Sequence, residues 1–197
     1  MRLAIIILLM ALGPVGIYAQ GNYMISYPVA FPMGNLHNYS SNVSFRGISL
    51  EFNKQVEHDV TAGIETGWNV FYQHVDTKTY TDGTASITGT QFRYTNAVPI
   101  IAGLKLYNHS KKGKGAHPYV GLGIGTLYVD RSTDFGLYRI NTDAWQFCLR
   151  PELGLDYKVG SQESLFFAAK YFWAFGTSDL EGQPYLTLNV GFRITSL

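Results

Sequence analysis

The chain has 197 residues, with 15 Lys and Arg against 14 Asp and Glu, so its formal net charge is +1 at pH 7. This balance gives no electrostatic attraction for nucleic acid, and the single cysteine, Cys148, excludes an intramolecular disulfide. Aromatic residues reach 15% and glycine occupies 21 positions, which is typical of membrane barrels, where these residues form interface girdles and closely packed strands.

The first segment has the build of a secretory signal peptide, because Arg2 precedes an unbroken apolar run that ends at Leu12. The run is shorter than the roughly 18 apolar residues that a membrane-spanning helix needs. Small and aliphatic residues before the predicted cleavage site after Ala19 complete the signal. The sequence therefore predicts a signal peptide at 1–19 and one mature domain at 20–197, which is electrically neutral because Arg2 is the only charged residue removed.

Past this segment, apolar and polar residues alternate with the period of a β-strand. Eight segments show the pattern, at 23–31, 45–52, 60–72, 97–107, 119–128, 145–157, 165–175 and 185–194. The apolar stretches are too short for spanning helices, and an even number of strands is what bacterial single-chain barrels require. The sequence predicts an all-β fold, an eight-stranded antiparallel up-and-down transmembrane β-barrel.

The sixth and eighth segments show the alternation most clearly. In the sixth, one apolar face begins with Trp145 and ends with Tyr157, as a lipid-facing strand with interface anchors should. In the eighth, Leu188, Val190 and Phe192 share a wholly apolar face. We expect these faces to contact lipid.

The connections between the segments alternate in length, as they should when both chain termini are periplasmic. Short links are predicted as periplasmic turns at 53–59, 108–118 and 159–164. Longer links are predicted as external loops at 32–44, 73–96, 129–143 and 176–184.

Short framework strings also resemble a known family. They are YMISY at 23–27, GWNVF at 67–71, PYVGLGIG at 118–125 and LNVGFR at 188–193. Together they resemble the outer-membrane protein β-barrel domain family, the porin-like small barrels of Gram-negative bacteria. The resemblance implies an outer-membrane location, contact with outer-membrane lipid and lipopolysaccharide, and insertion by the barrel assembly machinery. That machinery reads a terminal strand that usually closes on an aromatic residue, whereas this chain ends on Leu197.

Catalytic and metal sites find little support in the sequence. The only close His and Ser pair, His109 and Ser110, falls in a predicted periplasmic turn beside a lysine cluster, without the spacing of a hydrolase triad. The five histidines are scattered over the connections with no pair at metal-ligand spacing. We therefore predict no enzymatic activity, no metal and no cofactor, and a lipid-modifying barrel enzyme is the less favoured alternative.

Charged residues nevertheless fall on the polar side of the strands, where a barrel places its lumen. They are Glu51, Glu65, Lys105, Arg150, Glu152, Asp156, Lys158, Lys170 and Arg193. Isolated charges in a narrow lumen would be costly, so we expect opposite signs to pair there and to plug the barrel. Inward glycines at Gly63, Gly67, Gly121, Gly123 and Gly125 make room for large neighbours, although the same space could form a narrow ion path.

Two hypotheses follow for function. The first is a non-enzymatic outer-membrane barrel, structural or adhesive, whose exposed loops bind an extracellular partner that the sequence does not identify. Its predicted loop contacts are Tyr80, Phe92, Tyr94, Phe135, Tyr138 and Arg139. The second is a soluble exported ligand-binding barrel that resembles a lipocalin, with the apolar strand faces turned inward.

Overall fold

A computed structural model describes residues 21–82, 84–108, 115–135 and 138–196, without the side chains at 78, 80, 82, 85 and 87. The predicted signal peptide lies outside these ranges and stays a prediction. So do the pair His109 and Ser110 and the lysines that follow it.

Eight antiparallel strands form a closed barrel, in which each strand pairs with the next and the last pairs with the first. The strands are β1 (Asn22–Pro32), β2 (Gly47–Gln55), β3 (Val60–Asp82), β4 (Ala85–Tyr107), β5 (Ala116–Asp134), β6 (Arg139–Lys158), β7 (Glu163–Ala174) and β8 (Tyr185–Thr195). Pairing of β1 with β8 runs from Asn22 opposite Thr195 to Pro32 opposite Tyr185, so neither strand has a free edge along this length. The predicted fold is confirmed.

The barrel has two different ends. One carries the first residue of β1, the last residue of β8 and the short links β2–β3, β4–β5 and β6–β7, and we name it the turn end. The other carries the remaining four connections, and we name it the loop end.

The outer surface is apolar in the pattern that the sequence predicts. On β8, Leu188, Val190 and Phe192 are 43% to 58% exposed, whereas Thr187 and Asn189, which alternate with them, are buried. The same alternation holds on β6. This facing is the reverse of the lipocalin-like alternative, which is therefore wrong.

Aromatic rings mark two levels on this surface. Trp68, Tyr128 and Trp145 lie toward the loop end, and Tyr128 and Trp145 are cross-strand partners with ring centroids 5.0 Å apart. Tyr23 and Tyr157 lie at the turn end. From Trp145 to Tyr157 the strand takes 12 residue steps, which at about 3.3 Å per residue and a tilt of about 40° rises about 30 Å. This height matches the hydrocarbon core of a bilayer.

Two predicted loops are strand for most of their length. The prediction of loops at 73–96 and 129–143 is wrong, because β3 continues to Asp82, β4 begins at Ala85, and β5 and β6 meet near residues 134 and 139. Cross-strand pairs provide the physical reason. Hydroxyls of Thr79 and Thr88 lie 2.9 Å apart, and the rings of Tyr72 and Tyr94 lie 4.9 Å apart.

The consequence is an uneven rim. Strands β3 to β6 project beyond the loop-end aromatic rings as one four-stranded sheet, which we name the wall, while β1, β2, β7 and β8 stop near the rings. The connection after β1 contains a short helix, α1 (Gly34–Tyr39), where the sequence predicts only loop. No helix in the described ranges is long and apolar enough to cross a membrane.

Candidate functional site

A cluster of six charged side chains fills the middle of the lumen, and we name it the charged layer. Its members are Glu51 on β2, Glu65 on β3, Lys105 on β4, Arg150 and Glu152 on β6, and Lys170 on β7. All six are buried, since none exceeds 7% exposure. Alternation along each strand puts them inside, because the side chains on either side of them in the sequence face lipid.

Each cation in the charged layer meets at least two carboxylates. Lys105 Nζ lies 2.5 Å from Glu51 Oε1 and 3.4 Å from Glu152 Oε1. Lys170 Nζ lies 2.8 Å from Glu65 Oε1 and 3.2 Å from Glu51 Oε2. Arg150 Nη1 lies 2.5 Å from both Glu65 Oε2 and Glu152 Oε2. The layer is one continuous network with three charges of each sign.

Neutral side chains complete the network. Ser49 donates a hydrogen bond of 2.9 Å to Glu65 Oε1, and Tyr119 donates one of 2.8 Å to Glu152 Oε1. The Tyr119 ring also lies 5.1 Å from Lys105 Nζ. Such contacts offset the cost of removing the charges from water.

Glycines on neighbouring strands make room for Arg150. A Cβ at Gly123 would lie 3.0 Å from Arg150 Nε, and one at Gly103 would lie 3.0 Å from Arg150 Nη2. A Cβ at Gly121 would meet Lys105 and Glu152. Gly121 and Gly123 therefore make room for the large charged groups beside them, whereas a Cβ at Gly63, Gly67 or Gly125 would meet a backbone carbonyl of the neighbouring strand.

A second, smaller ion pair lies nearer the turn end. Arg193 Nη1 lies 2.7 Å from Asp156 Oδ2, and Arg193 Nη2 donates a hydrogen bond of 3.1 Å to Ser164. Lys158 does not join either group, because the last residue of β6 is exposed at the end of the barrel. Eight of the nine predicted lumen charges are thus brought together inside, and Lys158 is not.

Two layers of mostly apolar side chains lie on either side of the charged layer. Toward the turn end lie Met24, Tyr107, Tyr119 and Phe166. Toward the loop end lies a larger apolar layer, which comprises Ala30, Leu36, Phe71, Ala97, Ile101, Leu127, Val129, Ala144, Cys148, Phe172, Ala174, Leu180 and Tyr185. Side chains therefore fill the lumen at three successive levels.

Sequence reasoning missed the loop residues that complete the apolar layer. Leu36 belongs to α1 and Leu180 to the β7–β8 connection, and both are at most 3% exposed. Gln146 holds the β7–β8 connection in place. Its Nε2 donates a hydrogen bond of 2.8 Å to the Glu181 carbonyl, and its Oε1 accepts one of 3.1 Å from the Gln183 backbone amide. The available signal was weak, because Leu180 is the one aliphatic residue of its connection, whereas Leu36 shares its connection with Val43, which is exposed.

The predicted surface contacts lie mainly on strands of the wall. On β4, Phe92 lies 5.1 Å from the His74 ring and Tyr94 pairs with Tyr72. Tyr138 is 67% exposed, and Arg139 beside it donates a hydrogen bond of 2.7 Å to Asp134. Phe135 is half-buried at the tip of the β5–β6 hairpin, and the Tyr80 side chain lies outside the described part of the structure.

The chemistry of the lumen is that of a structural network. Each carboxylate in the charged layer contacts at least one cation. The carboxylates that could act in acid–base catalysis are therefore already engaged in ion pairs. Within the described ranges, no three His, Cys, Asp or Glu side chains converge as metal ligands.

No protein-family model and no curated protein matches the chain. Solved structures do. Neisserial surface protein A (NspA) is 14% identical with a TM-score of 0.62, over 89% of this chain and 97% of that one. The attachment invasion locus protein Ail of Yersinia pestis is 10% identical with a TM-score of 0.53, over 89% and 99%. Ail in complex with the heparin analogue sucrose octasulfate is 11% identical with a TM-score of 0.52, over 89% and 98%.

These similarities concern the fold, and they agree with the apolar exterior, the two aromatic levels and the eight closed strands. The chain has the fold of the small, eight-stranded outer-membrane β-barrels.

Proposed function

We propose that this chain is a non-enzymatic adhesive barrel, with the turn end in the periplasm and the wall outside the cell. The observation that carries the proposal is the projection of β3 to β6, since β3 continues 14 residues past Trp68 at the loop-end rings. A rigid sheet that stands clear of the membrane surface can present side chains to another cell or to a matrix.

The outer face of the wall supports this role. Tyr72 and Tyr94 pair across β3 and β4, His74 and Phe92 pair one step further out, and the Arg46 guanidinium lies 5.7 Å from the Tyr72 ring. Paired aromatic rings and an arginine are the residue types that dominate binding surfaces. The filled lumen leaves this exterior as the main surface available for binding.

The structural relatives are consistent with the same role. One of them bears the name of an attachment and invasion protein and has been crystallised with a heparin analogue, and another is a surface protein. The proposal takes from them only the class of activity, which is contact between the bacterial surface and an external partner.

Shortening the wall tests the proposal. Residues 76–90 are replaced by Asn-Gly, which favours a tight hairpin turn and keeps His74 opposite Phe92. The variant and the parent protein are expressed in a non-adherent bacterial host, and binding of the bacteria to cultured animal cells is counted. We expect adhesion by the parent and a loss of most of it in the variant.

A matched control changes the opposite end. Glu57→Gln and His58→Gln lie in the β2–β3 turn and should leave adhesion unchanged. Outer-membrane fractionation confirms equal amounts of all three proteins. Equal adhesion by the parent and the shortened variant would contradict the proposal.

We also propose that the chain is exported with cleavage after Ala19 and inserted by the barrel assembly machinery beside lipopolysaccharide. The apolar run after Arg2 and the lipid-facing strands support this route. Intact-mass measurement of the membrane-extracted protein should give a chain that begins at Gln20. A mass that retains residues 1–19 would contradict cleavage.

A further inference from the structure

The inner face of the wall carries an aromatic ring between two arginines. Tyr39, the last residue of α1, lies with its ring centroid 4.4 Å from Arg131 Cζ and 5.1 Å from Arg93 Cζ. Both arginines face inward, because their neighbours two positions away, Thr95 on β4 and Val129 on β5, are fully buried. We name these three residues the arginine–tyrosine stack, and it lies above the apolar layer at the loop end.

The ring is held in place from several sides. The Tyr39 hydroxyl donates a hydrogen bond of 2.8 Å to the Ser132 carbonyl and lies 2.6 Å from Thr133 Oγ1. Arg93 Nη1 donates a hydrogen bond of 3.0 Å to the Tyr39 carbonyl, and Leu36 anchors the same helix in the apolar layer. Tyr39 and Arg93 are therefore held in place by hydrogen bonds without a ligand, which lowers the entropic cost of binding.

The two arginines differ from three of the four other described arginines in what they contact. Arg150, Arg193 and Arg139 each meet a carboxylate. Arg93 instead uses Nε and Nη2 to donate to the neutral Gln91 amide oxygen, at 3.1 and 2.9 Å.

Arg131 has fewer partners still. Its guanidinium contacts the Tyr39 ring, and no described carboxylate forms an ion pair with Arg93 or Arg131. Two half-buried positive charges on one ring repel each other, and a negative group between or above them would relieve that repulsion.

We propose that the arginine–tyrosine stack is a binding subsite for the sulfate or phosphate ester groups of an extracellular glycan or glycolipid. Guanidinium groups present planar, forked donors that match such oxyanions, and Arg131 keeps its donors available for one. The inference rests on the proposed adhesive function and names its ligand chemistry. A purely structural role, in which the arginines only fasten α1 to the wall, accounts for Arg93 but leaves the Arg131 donors unused.

The test is a calorimetric titration of the mature full-length protein in nanodiscs of zwitterionic lipid. Sucrose octasulfate is the sulfated probe, inositol hexakisphosphate is the phosphorylated probe, and sucrose is the uncharged control. We expect both charged probes to bind, sucrose not to bind, and affinity to fall as salt is raised. Tighter binding of the sulfated probe would identify a sulfated glycan as the source of the bound group. Tighter binding of the phosphorylated probe would identify a phosphate-bearing glycolipid as that source.

Matched variants locate the binding. Arg131→Gln should weaken binding of the tighter probe about tenfold, as expected for the loss of one charge-assisted hydrogen-bonding group. Arg131→Lys should fall between Arg131→Gln and the parent, because it keeps the charge and loses the fork. Arg139→Gln removes an equal charge from the same end of the barrel, but one already paired with Asp134, so it should change affinity by less than about twofold.

Two results would overturn the inference. One is the absence of binding of either charged probe to the parent protein. The other is an equal loss of affinity in Arg131→Gln and Arg139→Gln, which would indicate a diffuse charge effect. Urea unfolding of each variant shows that its barrel is intact. If the parent protein adheres to cells yet binds neither probe, the inference fails and the adhesive function stands. If the parent protein binds a probe yet does not adhere to cells, the adhesive function fails and the subsite stands.

Discussion

The charged layer and the apolar layer fill the same lumen by different means. The charged layer is built wholly from strand residues, and each of its six side chains finds its partner across the barrel. The apolar layer also recruits Leu36 and Leu180 from connections that fold back into the loop end. The strands alone therefore supply the first layer, whereas the second is complete only when the two connections are in place.

The two layers should also respond differently to damage. A charge network depends on complete pairing, because a buried charge that loses its partner pays its full desolvation cost. Apolar contacts are less directional, so a gap there can be partly closed by movement of neighbours. Four predictions test this contrast, beginning with the largest effect.

The first prediction concerns both layers together. Because side chains fill the lumen at successive levels, the purified protein should pass no steady ion current in a planar lipid bilayer. Buffer with detergent alone is the control. Reproducible single-channel steps that scale with protein concentration would show that the layers leave a path open.

The second prediction breaks the charged layer. Arg150→Ala leaves Glu65 and Glu152 without their shared cation and should lower the free energy of unfolding by about 3 to 5 kcal/mol. Urea unfolding in lipid vesicles measures it. Lys158→Ala, on the same strand but exposed, should change it by less than about 0.5 kcal/mol. Similar values for the two variants would mean that the network does not stabilise the barrel.

The third prediction breaks the apolar layer. Leu36→Ala should cost about 2 to 3 kcal/mol, in the lower part of the usual range, because α1 can shift toward the gap. Val43→Ala, in the same connection but 39% exposed, is the control and should cost less than about 0.5 kcal/mol. In the double variant Leu36→Ala and Arg150→Ala, the two losses of unfolding free energy should add. A sum that differs strongly from the measured loss would show that the layers are not independent.

The smallest effect is expected outside the lumen. The hydrogen bond from Arg139 lowers the pKa of Asp134 below its ordinary value of 3.8. The stabilisation is complete above about pH 3.8 and is lost as the pH falls through the lowered pKa of the folded state. In Arg139→Gln the pKa of Asp134, followed by NMR, should return toward 3.8, while the lumen contacts stay unchanged. An unchanged Asp134 titration would show that the pair does not form in solution.

The contrast between the layers also explains what the sequence could predict. Alternation on β6 places Arg150 and Glu152 on one face and Trp145 and Leu153 on the other, so a period of two was enough to predict the inward charges. The existence and number of the strands followed from the same pattern. Which cation meets which carboxylate depends on strand register, which a single sequence does not specify.

The apolar layer was harder to predict because it violates the simple rule of a polar interior. Phe71, Leu127 and Tyr185 face inward, yet nothing in their residue type separates them from lipid-facing neighbours. Leu36 and Leu180 come from connections, where periodicity carries no information. The extent of the wall was missed for a related reason, since Thr-rich segments such as 77–81 serve equally well as loop or as exposed strand.

The charge balance inside the barrel has an electrical consequence. Three acids face three bases in the charged layer, and Asp156 offsets Arg193, so each group carries zero net charge. A transmembrane potential does work of about 2.3 kcal/mol per elementary charge per 100 mV, and on a neutral, rigidly paired cluster that moves as a unit this work vanishes. These two groups therefore supply no gating charge, and raising the applied voltage should not open the part of the lumen that they fill.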